Sequence, residues 1–172
     1  MNKILGLLCR YSIVVTLGLG NLFIFYKIFY PITFYSTGFV LNLFGKVELF
    51  YPLKIILYNT TVVGLINACV AGSAYYLLFV LTLSVPNIKP TKRFKILGFV
   101  FIALLVINIF RIVFMTLIAD TVYFDTVHIT FWYLLSLVFV VGIWFLAVKI
   151  FNIKEIPIYS DLKFLLEQTK KP

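Results

Sequence analysis

The sequence predicts an all-α membrane protein: four transmembrane helices, N and C termini both cytoplasmic, with an outer interfacial helix and a hairpin-like cap between the first and second spans. Composition is the first ground for this. Of 172 residues, 63% are hydrophobic, 19% aromatic and only 12% charged, and mean hydropathy is +1.09, well outside the mixture of a soluble domain. Length is the second. A spanning helix needs roughly 20 mostly apolar residues, and four segments supply them, at about 11–30, 68–85, 96–118 and 128–148. The third ground is where the cations lie. Eleven of the 15 Lys and Arg residues precede the first span, lie between the second and third, or follow the fourth. By the positive-inside rule those segments are cytoplasmic. The net charge of +9 then follows from topology and attraction to anionic headgroups, with no need of a nucleic-acid partner. One domain, residues 1–155, is followed by a basic cytoplasmic tail, 156–172.

Each element has its own signal. Lys3 and Arg10 before an apolar stretch resemble a secretory leader, but Lys27, Phe29, Tyr30 and Pro31 stand where small cleavage-site residues belong, which favours an uncleaved first span. Beyond it, Phe34, Phe39, Val40, Leu43 and Phe44 predict a short helix along the interface from Thr33 to Phe44, ended by Gly45. Two β-branched and aromatic runs, Val47 to Leu57 and Thr60 to Ile66, flank Tyr58 and Asn59 and predict a hairpin. Its backbone needs hydrogen bonds at the bilayer edge, which suits a cap over the outer mouth of the bundle. The second span opens at Asn67 to Ser73; Pro86 and Pro90 end it and shape a basic turn; Ile96 starts the third. An outer loop, Ala119 to Val127, carries Asp120 and Asp125, and His128 opens the fourth span. In the tail, Ile156 to Leu166, with Asp161, Lys163 and nearby Glu167, predicts a short amphipathic helix on the inner surface.

Three side chains are candidates for chemistry. Cys69 is placed in the first turn of a helix, where the positive end of the dipole favours thiolate over thiol. Equally, it is a small hydrophobe beside the packing residues Gly72, Ser73 and Ala74. Cys9 is placed inside and Cys69 outside, so the two cannot bridge. Arg111 sits about 10 Å below the outer end of its helix, where insertion of a guanidinium costs at least ~2.5 kcal/mol near the bilayer centre and less toward the edge. Asn108, three residues earlier, shares its face, so the helix carries a polar stripe; the alternative for Arg111 is snorkelling to the headgroups. His128 is the only imidazole, and Asp125, three residues before it, is a candidate to orient its ring. Taken singly, Cys69 and His128 fit packing and interfacial roles.

Their combination says more. Antiparallel helices with short connections bring Cys69, Arg111 and His128 to one level at one end of the bundle. A thiol beside an imidazole and a fixed cation is chemistry for thiolate attack on a carbonyl. One histidine and no carboxylate cluster argue against zinc, and there is no Cys-x-x-Cys, Gly-x-Ser-x-Gly or glycine-rich phosphate loop, so neither metal nor cofactor is expected. On the residues alone, two other classes stay open: a noncatalytic helical subunit for assembly or transport, and a lipid-dependent thiol acyltransferase.

The pattern Cys69-Val-Ala-Gly72 at the head of one span, Asn108-Ile-Phe-Arg111 near the outer end of the next, and His128 opening the last resembles the archaeosortase and exosortase family. The resemblance covers about Thr37 to Ile143, including Gly45 and the hairpin-like approach to the cysteine. It implies a membrane-embedded cysteine transpeptidase or protease of a prokaryotic cell membrane, acting at the extracytoplasmic face. Its substrates would be membrane-anchored proteins ending in a motif, a single transmembrane helix and a basic cluster, with water or a membrane lipid as acceptor. Cys69 would be the nucleophile, His128 the base and then the acid, Arg111 the oxyanion cation, and Asn108 a supporting donor. One departure concerns the backbone: many members have glycine two residues after the cysteine, whereas here Ala71 stands there and Gly72 follows. The chain also resembles only the compact core of larger relatives.

Overall fold

Pro90 opens the longest helix, at a position where its missing N–H costs no hydrogen bond. This helix, α5 (Pro90–Leu117), organises the fold of the computed structural model, which describes residues 3–20, 22–131 and 136–159 together with Asp161, Lys163 and Leu166. Ile96, Val100, Leu104, Asn108, Ile112 and Thr116 recur every four residues along it and are all buried. That stripe is one face of a 3.6-residue helix, and it packs against α2 (Phe23–Leu41), α4 (Gly72–Leu83) and α7 (Ser136–Ile150). Each neighbour answers with its own apolar face: Phe25, Phe29 and Phe34 from α2, Tyr75 and Leu78 from α4, and Val140, Ile143, Trp144 and Ala147 from α7. Phe29 stacks on Tyr75 with ring centroids 3.7 Å apart. The opposite face of α5 is apolar too, with Ile102, Val106 and Phe110 exposed by 64%, 59% and 68%. A face of that kind suits lipid rather than water.

The protein is mostly helical, but not all-α, because the cap is a three-stranded antiparallel sheet. β1 (Val47–Phe50) pairs with β2 (Ile55–Tyr58), and β2 with β3 (Thr61–Gly64), in the order β1-β2-β3. The turn at Asn59 falls where the sequence placed it, with Asn59 at φ 51°. The first arm of the predicted hairpin divides in two because Pro52 folds Tyr51–Leu53 into a single 3-10 turn and Lys54 follows in the left-handed region at φ 59°. The expected interfacial helix is not separate. α1 (Lys3–Leu19) ends early, Leu22 adopts a left-handed φ of 59°, and α2 then runs unbroken through Pro31 to Leu41. A proline inside an apolar helix removes one hydrogen bond without ending it when neighbouring helices hold both sides.

Among the described residues, α5 is the one helix long and apolar enough by itself to cross a membrane. α1 and α2 qualify only together, as a pair bent by 70° that has the form of a broken span or a re-entrant loop. The predicted second span is the short helix α3 (Asn67–Val70) followed by α4, and the fourth is α6 (Phe124–Thr130) followed by α7. Positions 132–135 of that fourth span, and Glu167, Lys170 and Lys171 of the tail, lie outside the described residues.

At the end of α4 away from Cys69, a polar cluster ties the chain together. Arg10 donates to the carbonyls of Leu83 and Val85 at 3.0 and 3.1 Å, and forks onto both carboxylate oxygens of Asp161 at 3.0 and 3.1 Å. Arg93 donates to the Val85 carbonyl at 2.7 Å, and Tyr11 to Asp161 at 3.2 Å. Asp161, placed by sequence on a surface helix, is buried. The reason is tertiary: α4 ends at Leu83 with carbonyls that need donors, and the guanidinium that supplies them needs a counter-ion.

Candidate active site

The backbone breaks beside the thiol. Ala71 takes a left-handed conformation, φ 58° and ψ 39°, and divides α3 from α4. Cys69 therefore sits in a one-turn helix, and α4 starts only at Gly72, after the thiol rather than under it; the dipole expected to favour the thiolate does not begin at Cys69. The break also takes the Cys69 carbonyl out of the helical ladder. Two side chains of α5 replace the missing donor: Asn108 Nδ2 at 2.8 Å and an Arg111 guanidinium nitrogen at 3.1 Å. Being three residues apart on one helix, they converge on the same oxygen.

Gly72 has a separate reason to be glycine. A Cβ there would come within 2.5 to 3.0 Å of three atoms of the Tyr26 ring. Tyr26 packs where the backbone of the α3–α4 junction passes α2, so the junction sits close against that helix. Tyr30, one turn further along α2, donates to the Leu65 carbonyl at 2.6 Å and fixes the chain leaving β3.

Cys69, Arg111 and His128 all line one cavity of about 450 Å³. Its remaining walls are largely apolar, with Ile112 and Met115 from α5, Phe131 after α6, and the whole stretch 61–66 of the cap. Cys69 and Arg111 are half-buried and His128 is exposed, its ring stacked on Phe124 with centroids 5.4 Å apart. Thr61 donates to Asp120 at 2.9 Å, joining the sheet to the loop after α5 at one end of the cavity.

The structure thus brings together the three predicted residues and Asn108. It does not bring in Asp125, which is exposed, lines no part of the cavity and makes no hydrogen bond to His128 among the described residues. Nor does a hydrogen bond join Cys69 to His128 among the described residues. Both cysteines are free thiols. No group of three or more His, Cys, Asp or Glu among the described residues is placed to hold a metal ion. Sequence reasoning missed the contribution of β3 to the cavity wall, although the β-branched run from Thr60 was its visible signal. Comparisons with protein-family models, with curated proteins and with solved structures find no match for this chain.

Proposed function

We propose that the chain is a membrane-embedded cysteine transpeptidase or protease of the archaeosortase and exosortase kind, cleaving C-terminal sorting signals of surface proteins through a thioacyl intermediate. One observation carries the reading: Cys69, Arg111 and His128 share the wall of a single cavity while Arg111 is bonded to the main chain of Cys69. His128 takes the proton from Sγ, and the sulfur attacks the scissile carbonyl carbon. The oxyanion that forms meets the Arg111 guanidinium. Collapse breaks the C–N bond, and His128 returns its proton to the departing amine, leaving the acyl group on Cys69. Water, or a lipid nucleophile, then gives a proton to His128, attacks the thioester and frees the thiol. The proton transfer requires Cys69 and His128 to come within hydrogen-bond distance when substrate enters, as catalytic groups commonly do.

In this reading four membrane crossings, two of them made by the broken pairs α1–α2 and α3–α4, put both termini in the cytoplasm and the cavity at the extracytoplasmic side. Two features support it. The Arg10, Arg93 and Asp161 cluster lies at the end of α4 and α5 away from the cavity, which is the end where the inner cations collect. Apolar side chains also cover the outward face of α5.

The test is co-expression with a protein from the same genome that ends in a motif, a single span and a basic cluster. Wild type removes that tail, whereas Cys69→Ala and His128→Ala leave it attached; cleavage that survives Cys69→Ala sinks the mechanism. Mass measurement of the adduct trapped on Cys69 distinguishes a peptide acyl group from a lipid one.

A further inference from the structure

The cavity is lined by six consecutive residues, 61–66. Side chains of a strand alternate between its faces, so a cavity against one face would be lined by every second residue. An unbroken run means that the cavity lies along the edge of β3. That edge is the open one, since the sheet order is β1-β2-β3. The pairing identifies which backbone groups it offers. Val63 faces Ile56, Thr61 faces Tyr58, and the Leu65 N–H donates to the Lys54 carbonyl at 2.9 Å. Antiparallel pairs alternate between hydrogen-bonded and not, so Thr61, Val63 and Leu65 turn their N–H and C=O groups to β2. Val62 and Gly64 turn theirs away from it, along the cavity side. At Gly64 the space is open: an added Cβ would meet nothing within 4 Å. Val62 and Gly64 are exposed, so among the described residues their edge N–H and C=O groups stand open to a partner strand.

We propose that the free edge of β3 is the docking rail of the site: an extended peptide segment adds as a fourth strand, pairing with Val62 and Gly64, and its chain passes Ile66 to reach Cys69. That the segment is substrate rests on the cysteine-peptidase reading above; the docking itself does not. The charge of the cavity narrows the occupant. Among the described residues Arg111 and His128 line it and no carboxylate does, Asp120 standing at its end bonded to Thr61, so the segment is neutral or acidic where it nears Cys69, and a lysine there would face the guanidinium. Ile112, Met115 and Phe131 give its alternate side chains apolar walls. Edge pairing of this kind takes affinity from the main chain and selectivity from every second side chain.

A chemical reporter tests docking without requiring cleavage. An amidated heptapeptide of alternating valine and serine, chloroacetylated at one end, alkylates Cys69: the sulfur displaces chloride and the thiol proton goes to buffer. Wild-type protein in a Cys9→Ser background is labelled, and the rate is compared with that of chloroacetamide. The peptide is expected to react at least about tenfold faster. Methylating its backbone nitrogens at alternate residues is expected to remove about fivefold per lost hydrogen bond in one register and little in the other. Val62→Pro and Gly64→Pro, each deleting an edge N–H that β2 does not use, are expected to slow the peptide by a larger factor than they slow chloroacetamide. Lysine in place of the central serine is expected to slow it further than glutamate. Equal rates for peptide and chloroacetamide, indifference to N-methylation in both registers, or faster labelling by a chloroacetylated fatty amide would overturn the proposal. Docking that succeeds while the co-expression assay shows no cleavage keeps the rail and removes the peptidase. Cleavage that depends on Cys69 with no peptide acceleration does the reverse.

Discussion

Arg111 donates to the main-chain carbonyl of Cys69 across 3.1 Å, so the cation of the site is anchored to the backbone of its own candidate nucleophile. Position and charge are then linked: whatever moves the α3–α4 junction also moves the thiol relative to the guanidinium.

Removing that link has a graded outcome. Arg111→Ala deletes a charged donor from a half-buried site and is expected to cost about 1.5–3 kcal/mol of stability, the range for hydrogen bonds to charged groups. Arg111→Lys keeps a charge but not the planar fork, and is expected to recover stability better than activity. Thermal unfolding in detergent, read beside cleavage of a co-expressed substrate, separates the two effects.

Asn108→Leu should be the more informative partner substitution. Asn108 is buried, and its loss removes the shorter of the two bonds to the Cys69 carbonyl. A destabilisation of about 1–3 kcal/mol is expected, together with altered reactivity of Cys69 toward iodoacetamide. Unchanged alkylation kinetics would show that Asn108 does not set the position of the thiol.

Gly72→Ala forces a Cβ into the Tyr26 ring and is expected to destabilise by about 1–3 kcal/mol, the usual cost of overpacking. Combined with Tyr26→Leu, much of the loss should return. A double-mutant cycle on unfolding midpoints measures the coupling, and strictly additive losses would rule out the ring as the obstacle.

Ala71→Gly acts on the conformation itself. Ala71 holds a left-handed φ of 58°, which costs an ordinary residue roughly 1–2 kcal/mol. Glycine relieves this while adding freedom to the unfolded chain, so the net gain is expected to be about 0–1 kcal/mol, with Cys69 reactivity retained. Ala71→Val should lose stability, because a β-branched side chain tolerates that region poorly.

Arg10→Ala or Asp161→Ala breaks a pair whose partners are only 17% and 6% exposed. Each is expected to cost about 3–5 kcal/mol, since the remaining charge is stranded. Limited proteolysis should then cut near 153–159 sooner than in wild type, while the double substitution should be milder than the sum of the two.

What the sequence made legible follows from which signals are local. Apolar length and the placement of cations marked the helical segments, and the polar pair Asn108 and Arg111 within an apolar helix pointed to the site. The turn at Asn59 was visible because asparagine favours the left-handed region. Breaks at Leu22, Lys54 and Ala71 were not, because residues with no preference for that conformation adopt it under tertiary packing. Pro31 shows the converse: a residue that normally interrupts a helix is carried through one. Asp161 was unreadable for another reason, since its meaning depends on Arg10, far away in the chain.

That distance shapes how the protein comes to be. All of the chain from α2 to α7 leaves the ribosome between Arg10 and the carboxylate that neutralises it. Through most of synthesis the guanidinium therefore waits in the growing bundle without its counter-ion, and this end of the structure can close only after the last helix is in place.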